Sequence, residues 1–494
     1  MRSMNGRSQS TERSTLWAVI GQGAGQALSL LTFLVIARFV TKENFGIVAV
    51  CLATMECIRR VLIDPLASAV AAKPGVERRD FDVCFTLSGI LSAVVTPCMV
   101  VFAPEIARLI GSPEAGSALR PIAFILLAFG LAGTHGAWLV RGMHFRALAL
   151  RSIASVLIGG AVGITLALNG FELWSLIFQQ LTINVVNVVV LWSASDWRPR
   201  WILSWQDTKR SFQGARHISF AAIWNALAND ADIFFASAFF GPAGAGIYNA
   251  GKRIMLSATL VLVNTISAVT VPMLANIEHQ RERGASFLAY LRLASVATTP
   301  AFAGLAAAAP DLVAVILGPS WSAVAPILAG LAAGGYALSL GQFATSALLV
   351  GQRSHLDSLV SAIAAVSNIA IFFLAVHLGP AALALAASIT ALLVTPIRMR
   401  FALIHLNLHW RDIVYALLPS VAASLAMAAL IWGLHYALPP AWSPMIRLAV
   451  IIGAGVGFYG LWLRLFARSL FQTLMGIAAS LLGDRGRQQG IEPG

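Results

Sequence analysis

The stretch DADIFFASAFFGPAGAGIYNAGKRI, residues 230–254, reads as the end of one apolar helix, a Gly-Pro turn and the start of another. Its charges stand at the two ends, Asp230 and Asp232 before the turn and Lys252 and Arg253 after it, at similar depths counted out from the Gly241–Gly246 hairpin. A charge inside an apolar helix costs about 2.5–3.5 kcal/mol near a bilayer centre, so each needs a partner or a wet cavity. A second hairpin of the same kind, RFVTKENFGIVAV at 38–50, aligns Gly46-Ile47 with Gly246-Ile247 at an offset of 200 residues. Repeats of this sort with a site between them are a common build of secondary transporters.

The rest of the chain agrees with a membrane setting. Of 494 residues 58% are hydrophobic and 11% charged, and mean hydropathy is +0.79, whereas about a quarter of a soluble protein is charged. Little chain is left for a large soluble catalytic domain. The net charge of +13 would suggest nucleic acid as a partner in a soluble protein; here basic loops account for it, and no nucleic-acid partner is expected. Cys51, Cys57, Cys84 and Cys98 lack metal-ligand spacing and read as isolated thiols.

Spanning runs fall at about 15–38, 44–70, 83–104, 120–140, 152–168 and 171–193, then at about 218–240, 246–275, 287–309, 324–350, 356–378, 380–402, 412–435 and 445–466. The expected fold is an all-α integral membrane protein of about fourteen transmembrane helices. A cytoplasmic tail (1–14) precedes a six-helix lobe (15–193), a basic cytoplasmic linker (194–217), a second, pseudo-symmetric six-helix lobe (218–402), an additional helix pair (403–466) and a tail (467–494). Arg2, Arg7, Arg13, Lys73, Arg78, Arg79, Arg141, Arg146, Arg151, Arg198 and Arg200 fall on one side, the sparser Lys42, Arg108 and Arg447 on the other. Both termini are therefore expected in the cytoplasm.

No phosphate-binding loop of the G-x-x-x-x-G-K type is present, and Gly21, Gly23 and Gly25 read as a close-packing helix face. His405 and His409 are spaced to present two ligands, but lack a clear third, so no metal and no cofactor is expected. The informative groups are buried charges and amides. Arg60 and Asp64 are spaced i, i+4 with Arg59 beside them, a self-neutralising pair or, alternatively, an arginine free to meet phosphate. Asn225, Asn229 and Asp232 share a helix face next to Asp230, facing either Lys252 and Arg253 in a structural ion pair or a cavity. Gln22 and Gln26, with Gln179, Gln180, Asn184 and Asn187, suit sugar hydroxyls or helix-to-helix bonds equally.

Together with VLIDPLASAVAAKP (61–74), RGMHFRALALRSIAS (141–155), WRPRW (197–201) and Pro272, the two hairpins resemble the polysaccharide synthase or oligosaccharide-lipid flippase (Wzx-type) family of the multidrug, oligosaccharide-lipid and polysaccharide exporter superfamily. The resemblance spans residues 13 to 405. It implies a V-shaped two-lobed transporter of the inner membrane that flips undecaprenyl-diphosphate-linked oligosaccharide for exopolysaccharide synthesis by alternating access. It also implies membrane lipids, a polymerase and a chain-length regulator as partners, with a proton or sodium gradient or the membrane potential as driving force. Asp232 and Gly241 fall on the family's seventh-helix segment, and Gly246 with Tyr248 on its Gly-x-Tyr hairpin. Val48, where an aromatic would stand, and Pro65, where Gly is frequent, depart from it. A drug or cation antiporter of the same fold and a membrane-embedded polymerase or ligase are the alternatives; short external loops argue against the enzyme, and the basic surface argues against a cationic cargo.

Overall fold

In the computed structural model the described residues run from 21 to 472, except 22, 74, 276, 278, 352, 440, 469 and 471. The tail 1–14, the start of the span expected from 15, Gln22 and most of the tail 467–494 lie outside them. Among the described residues no strand occurs, as hydrocarbon demands of a chain that must satisfy every backbone group within its own segment.

The helices run α1 (Gly23–Ile36), α2 (Lys42–Ile58), a π-helical turn (Arg59–Ile63), α3 (Asp64–Ala72), α4 (Arg78–Val101), α5 (Ala103–Leu109), α6 (Ala115–Ile122), α7 (Ile125–Arg141), α8 (Phe145–Leu168) and α9 (Glu172–Ala194). After the linker come α10 (Trp205–Ala275), α11 (Gln280–Ala307), α12 (Ala309–Ile316), α13 (Val324–Val350), α14 (Ser354–Ala375), α15 (Pro380–Leu406), α16 (Trp410–Ala437) and α17 (Pro444–Phe466). Among the described residues nine helices are long and apolar enough to cross a membrane, or ten if the α11–α12 pair, bent by 78°, forms one span. The chain is a multi-pass membrane protein.

The linker is shorter than the expected 194–217. Helix α10 already begins at Trp205 and continues to a single break at Gly241, whose φ of 67° and ψ of −173° leave the helical region. The helix resumes at once, so the expected turn over 241–246 narrows to one residue. The preceding segment is fastened to α4. Buried Asp82 accepts from Trp197 Nε1 and from the Arg200 amide, each at 3.1 Å, and Thr86 Oγ1 accepts from the Ile202 amide at 3.1 Å. Trp197 also stacks on Trp138 and lies near Phe81, Phe85 and His135. At the same end Arg79 pairs with Asp207 at 2.8 Å, Lys73 with Asp80 at 2.6 Å, and Arg141 donates to the Ala71 carbonyl at 2.7 Å.

Near the opposite end of α2, the two halves of the sequence touch backbone to backbone. A Cβ placed on Gly46 would lie 1.7 Å from the Pro242 carbonyl oxygen and 2.8 Å from the Gly246 nitrogen. One on Gly246 would lie 2.0 Å from the Lys42 carbonyl oxygen and 3.1 Å from the Gly46 nitrogen. Subtracting the offset of 200 exchanges Gly46 with Gly246 and Lys42 with Pro242, so the contact is reciprocal, like one between symmetry mates. Close helix approach of this kind is how packing holds helices together where lipid removes the hydrophobic driving force. Around it Phe33, Phe45 and Trp321 form edge-to-face pairs, and Trp321 Nε1 donates to the Ala37 carbonyl at 3.0 Å.

The last two helices are held by a buried carboxylate. Asp311 of α12 meets His435 of α16 at 2.8 Å and Arg447 of α17 at 3.2 Å.

Gly46→Ala and Gly246→Ala are each expected to destabilise the protein by about 1–3 kcal/mol or more. Gly23→Ala, whose methyl would meet nothing within 4 Å, should leave the melting temperature of the purified protein unchanged. Equal melting temperatures for all three variants would show that the crossing bears no load.

Candidate functional site

The site begins with a proline. Pro65 has no amide to donate and crowds the preceding turn, and the helix ahead of it widens to π geometry over Arg59–Ile63, where the Asp64 amide donates to the Arg59 carbonyl. That i, i+5 spacing changes which side chains meet. The expected Arg60–Asp64 pair does not form. Arg59 takes Asp64 instead, at 2.9 Å, together with Glu56 at 2.6 Å, and its guanidinium lies over the Phe129 ring. Arg60 turns to the other half of the chain and pairs with Asp230 of α10 at 2.5 Å, keeping only a 3.7 Å approach to Glu56.

Beyond Arg60, Asp232 and Lys252 of the second half compensate one another. Asp232 accepts from Lys252 Nζ at 2.6 Å, from the fully buried Tyr248 hydroxyl at 3.0 Å and from the Ile233 amide at 2.9 Å. Lys252 also donates to the Asn229 carbonyl. This is the ion pair that the sequence allowed, and Gly241 makes it, because the break between the two parts of α10 brings Asp232, nine residues before it, beside Lys252, eleven residues after it. The amides of the polar stripe turn back on their own helix: Asn225 donates to the Ala221 carbonyl at 3.0 Å and Asn229 to the Asn225 carbonyl at 2.7 Å. Asn184 does likewise to Gln180.

Arg253 parts company with Lys252. It donates to Ser29 Oγ at 2.8 Å and lies over the Phe33 ring, both on α1, and no carboxylate among the described residues pairs with it. Gln26 of α1 donates to Ser257 at 3.1 Å on the same flank of α10. Gln22 lies outside the described residues. The arrangement thus brings together Arg59, Arg60, Asp64 and Asp230 in one cluster. Asp232 and Lys252 stand apart as a closed pair, Arg253 and Gln26 line the α1 side, and Asn225 and Asn229 serve their own helix. Glu56, one turn before the arginines, completes the cluster; its spacing to Arg59 and Arg60 was a usable signal that the sequence reading did not weigh.

What this geometry offers is a set of fixed guanidinium forks whose carboxylate partners an anion can replace. Arg60 and Asp230 retain 37% and 18% side-chain exposure, so the pair is not sealed inside the helix bundle.

Residues 35–326, more than half of the 494, match the model of the family described as polysaccharide biosynthesis protein. The chain is 28% identical over 322 residues to the succinoglycan biosynthesis transport protein ExoT of Rhizobium meliloti (strain 1021); the match spans 65% of this chain and 65% of that protein's own length. It is 19% identical over 344 residues to the lipopolysaccharide biosynthesis protein WzxC of Escherichia coli (strain K12), over 68% and 69% of the two chains. Among solved structures it is similar to the lipid II flippase MurJ in an inward closed conformation, with TM-score 0.76 and 13% identity over 92% of this chain and 99% of that one. An inward-facing multidrug resistance MATE family transporter of the MOP superfamily gives TM-score 0.61 and 14% identity over 79% and 98%. At such identities the structural likeness speaks for the fold alone.

Breaking the Asp232–Lys252 pair on one side, with Asp232→Asn or Lys252→Met, is expected to cost about 3–5 kcal/mol of stability by stranding a buried charge, while replacing both with apolar residues recovers most of it. Melting curves of the two single variants and the double variant test this; a double variant as unstable as the sum of the singles would contradict it.

Proposed function

The chain belongs to the polysaccharide biosynthesis protein family, and from that premise we propose that it flips lipid-linked oligosaccharide repeat units across the cytoplasmic membrane for exopolysaccharide synthesis. The cargo we assign is an undecaprenyl-diphosphate-linked unit, handed to polymerisation machinery on the far side. The fold is read as about fourteen spans, six in each lobe and two more, with both termini in the cytoplasm. The gathering of Lys73, Arg79, Arg141 and the linker's Arg200 at one end of the bundle supports that orientation.

The observation that carries the mechanism is the Arg60–Asp230 bridge between the two halves. From Gly46 to Arg60 the chain advances about 21 Å at about 1.5 Å per residue, so the bridge lies well toward the cytoplasmic side of the Gly46–Gly246 crossing. The crossing acts as the fixed point and the ion pair as the inner gate. A diphosphate arriving from the cytoplasm competes with Asp230 for Arg60, because a guanidinium fork binds phosphate oxygens bidentately. Separation of Arg60 from Asp230 opens the cleft, and Arg60 with Arg253 accompanies the headgroup, which cannot enter hydrocarbon unpaired. The coupling force we assign is an ion gradient of protons or sodium, or the membrane potential. Cation antiport finds less support, since Glu56, Asp64, Asp230 and Asp232 each already face a basic partner.

Deletion of the gene should halt polymer export and accumulate lipid-linked repeat units; normal export without accumulation would sink the proposal. Arg60→Ala is expected to lower export about tenfold or more, by loss of a charged hydrogen bond worth about 1.5–3 kcal/mol, at normal membrane protein level. Arg60→Lys should keep part of it. Joint replacement of Arg60 and Asp230 by Ala distinguishes ligand from strut: export stays low if Arg60 meets the headgroup, and rescue by the double variant counts against it.

A further inference from the structure

Five basic side chains belong to the α1, α2, α8 and α10 surroundings of the site: Arg59, Arg60, Arg151, Lys252 and Arg253. Three of them are matched by carboxylates, Arg59 by Glu56 and Asp64, Arg60 by Asp230, and Lys252 by Asp232. Two are not. Arg253 rests on neutral Ser29 and the Phe33 ring. Arg151, in the second turn of α8, pairs with no carboxylate among the described residues, and its buried Nε finds no acceptor among them.

Its position is built by α1. A Cβ on Gly21 would lie 2.3 Å from the Ala149 Cβ and one on Gly25 2.4 Å from Ser152 Oγ, so the neighbours of Arg151 on both sides press α8 against α1. Helix α1 also carries Ser29, the partner of Arg253. The two guanidinium groups that find no carboxylate among the described residues thus border the same helix, one from each half of the chain. Neighbouring Leu150 is exposed, as a lipid-facing residue is, while Arg151 is half-buried.

A guanidinium stays protonated in any protein environment, and holding one inside a membrane protein with no counter-ion among the described residues is unfavourable. Its retention there makes sense if the counter-ion arrives with the cargo. We infer that Arg151 is a headgroup-binding residue of the first half, which joins Arg60 and Arg253 in supplying guanidinium forks to a diphosphate. The inference rests on the functional reading above and adds a residue that the sequence assigned only to a basic cytoplasmic segment.

The test uses full-length protein in phosphatidylcholine nanodiscs, with farnesyl diphosphate and farnesol as probes, in wild type and in Arg151→Met, Arg151→Lys and Arg253→Met. Arg151→Met is expected to weaken farnesyl diphosphate binding about tenfold, to leave farnesol binding unchanged, and to melt no lower than wild type, because the substitution removes an unmatched charge. Arg151→Lys should weaken diphosphate binding about threefold, since a point charge replaces the fork. Wild-type diphosphate affinity in Arg151→Met or Arg151→Lys overturns the assignment, as does a melting temperature that falls together with farnesol binding. If Arg253→Met alone loses the diphosphate preference, Arg151 is excluded and the flippase reading stands. A wild-type protein that binds both probes equally overturns that reading and this inference together.

Discussion

Two glycines, 46 and 246, set the distance at which the halves of this protein meet. Every side chain larger than hydrogen at either place would drive the two backbones apart, and with them Arg60 and Asp230, which lie on helices that share this crossing. Hydrogen bonds from Trp321, in the turn before α13, to Ala37 and from Arg253 to Ser29 hold α1 and that turn to the same centre. In a bilayer this dependence on close approach is stronger than in water, because apolar area gains nothing by leaving lipid for protein.

The charges obey a different rule from the backbone. Under the offset of 200 that superposes the hairpins, Asp230, Asp232, Tyr248, Lys252 and Arg253 answer to Leu30, Thr32, Val48, Leu52 and Ala53. The backbone crossing is symmetric while the polar equipment is not. One half carries a closed Asp232–Tyr248–Lys252 arrangement that stiffens its hairpin; the other carries the π-turn with Glu56, Arg59 and Arg60. Diversity of partners across the cleft follows from that asymmetry, since Arg60 has no counterpart of its own kind opposite and meets a carboxylate instead.

Much of this was legible from residue order. Hydropathy alone implied an all-helical membrane chain, and the similar depths of Asp232 and Lys252 about the hairpin admitted an ion pair as one of two readings, a cavity-lining site being the other. The position of the crossing was implicit in the alignment of Gly46 with Gly246. What could not be read was of two kinds. The Arg60–Asp64 expectation assumed regular α geometry, and Pro65, noticed only as a departure, is what replaced i, i+4 with i, i+5. The other contacts join residues far apart in the chain: Arg60 to Asp230, Trp197 to Asp82, and Asp311 to His435 and Arg447. No local periodicity encodes such pairs, and the linker, polar and basic as a sequence, turned out to be largely helix after Trp205 and to be clasped to α4 before it.

The reciprocal crossing also carries a trace of ancestry. A contact in which residue 42 meets 246 while 242 meets 46 is the one that two copies of a half-length chain make across a twofold axis. Duplication and fusion of such a chain preserve the meeting of backbones and release each side chain to diverge, as Lys42 has from Pro242 and Val48 from Tyr248. In that light the halves relate as subunits do, each lacking a counterface of its own, and the peptide connection between them contributes proximity while the geometry of their union is written in the helices themselves.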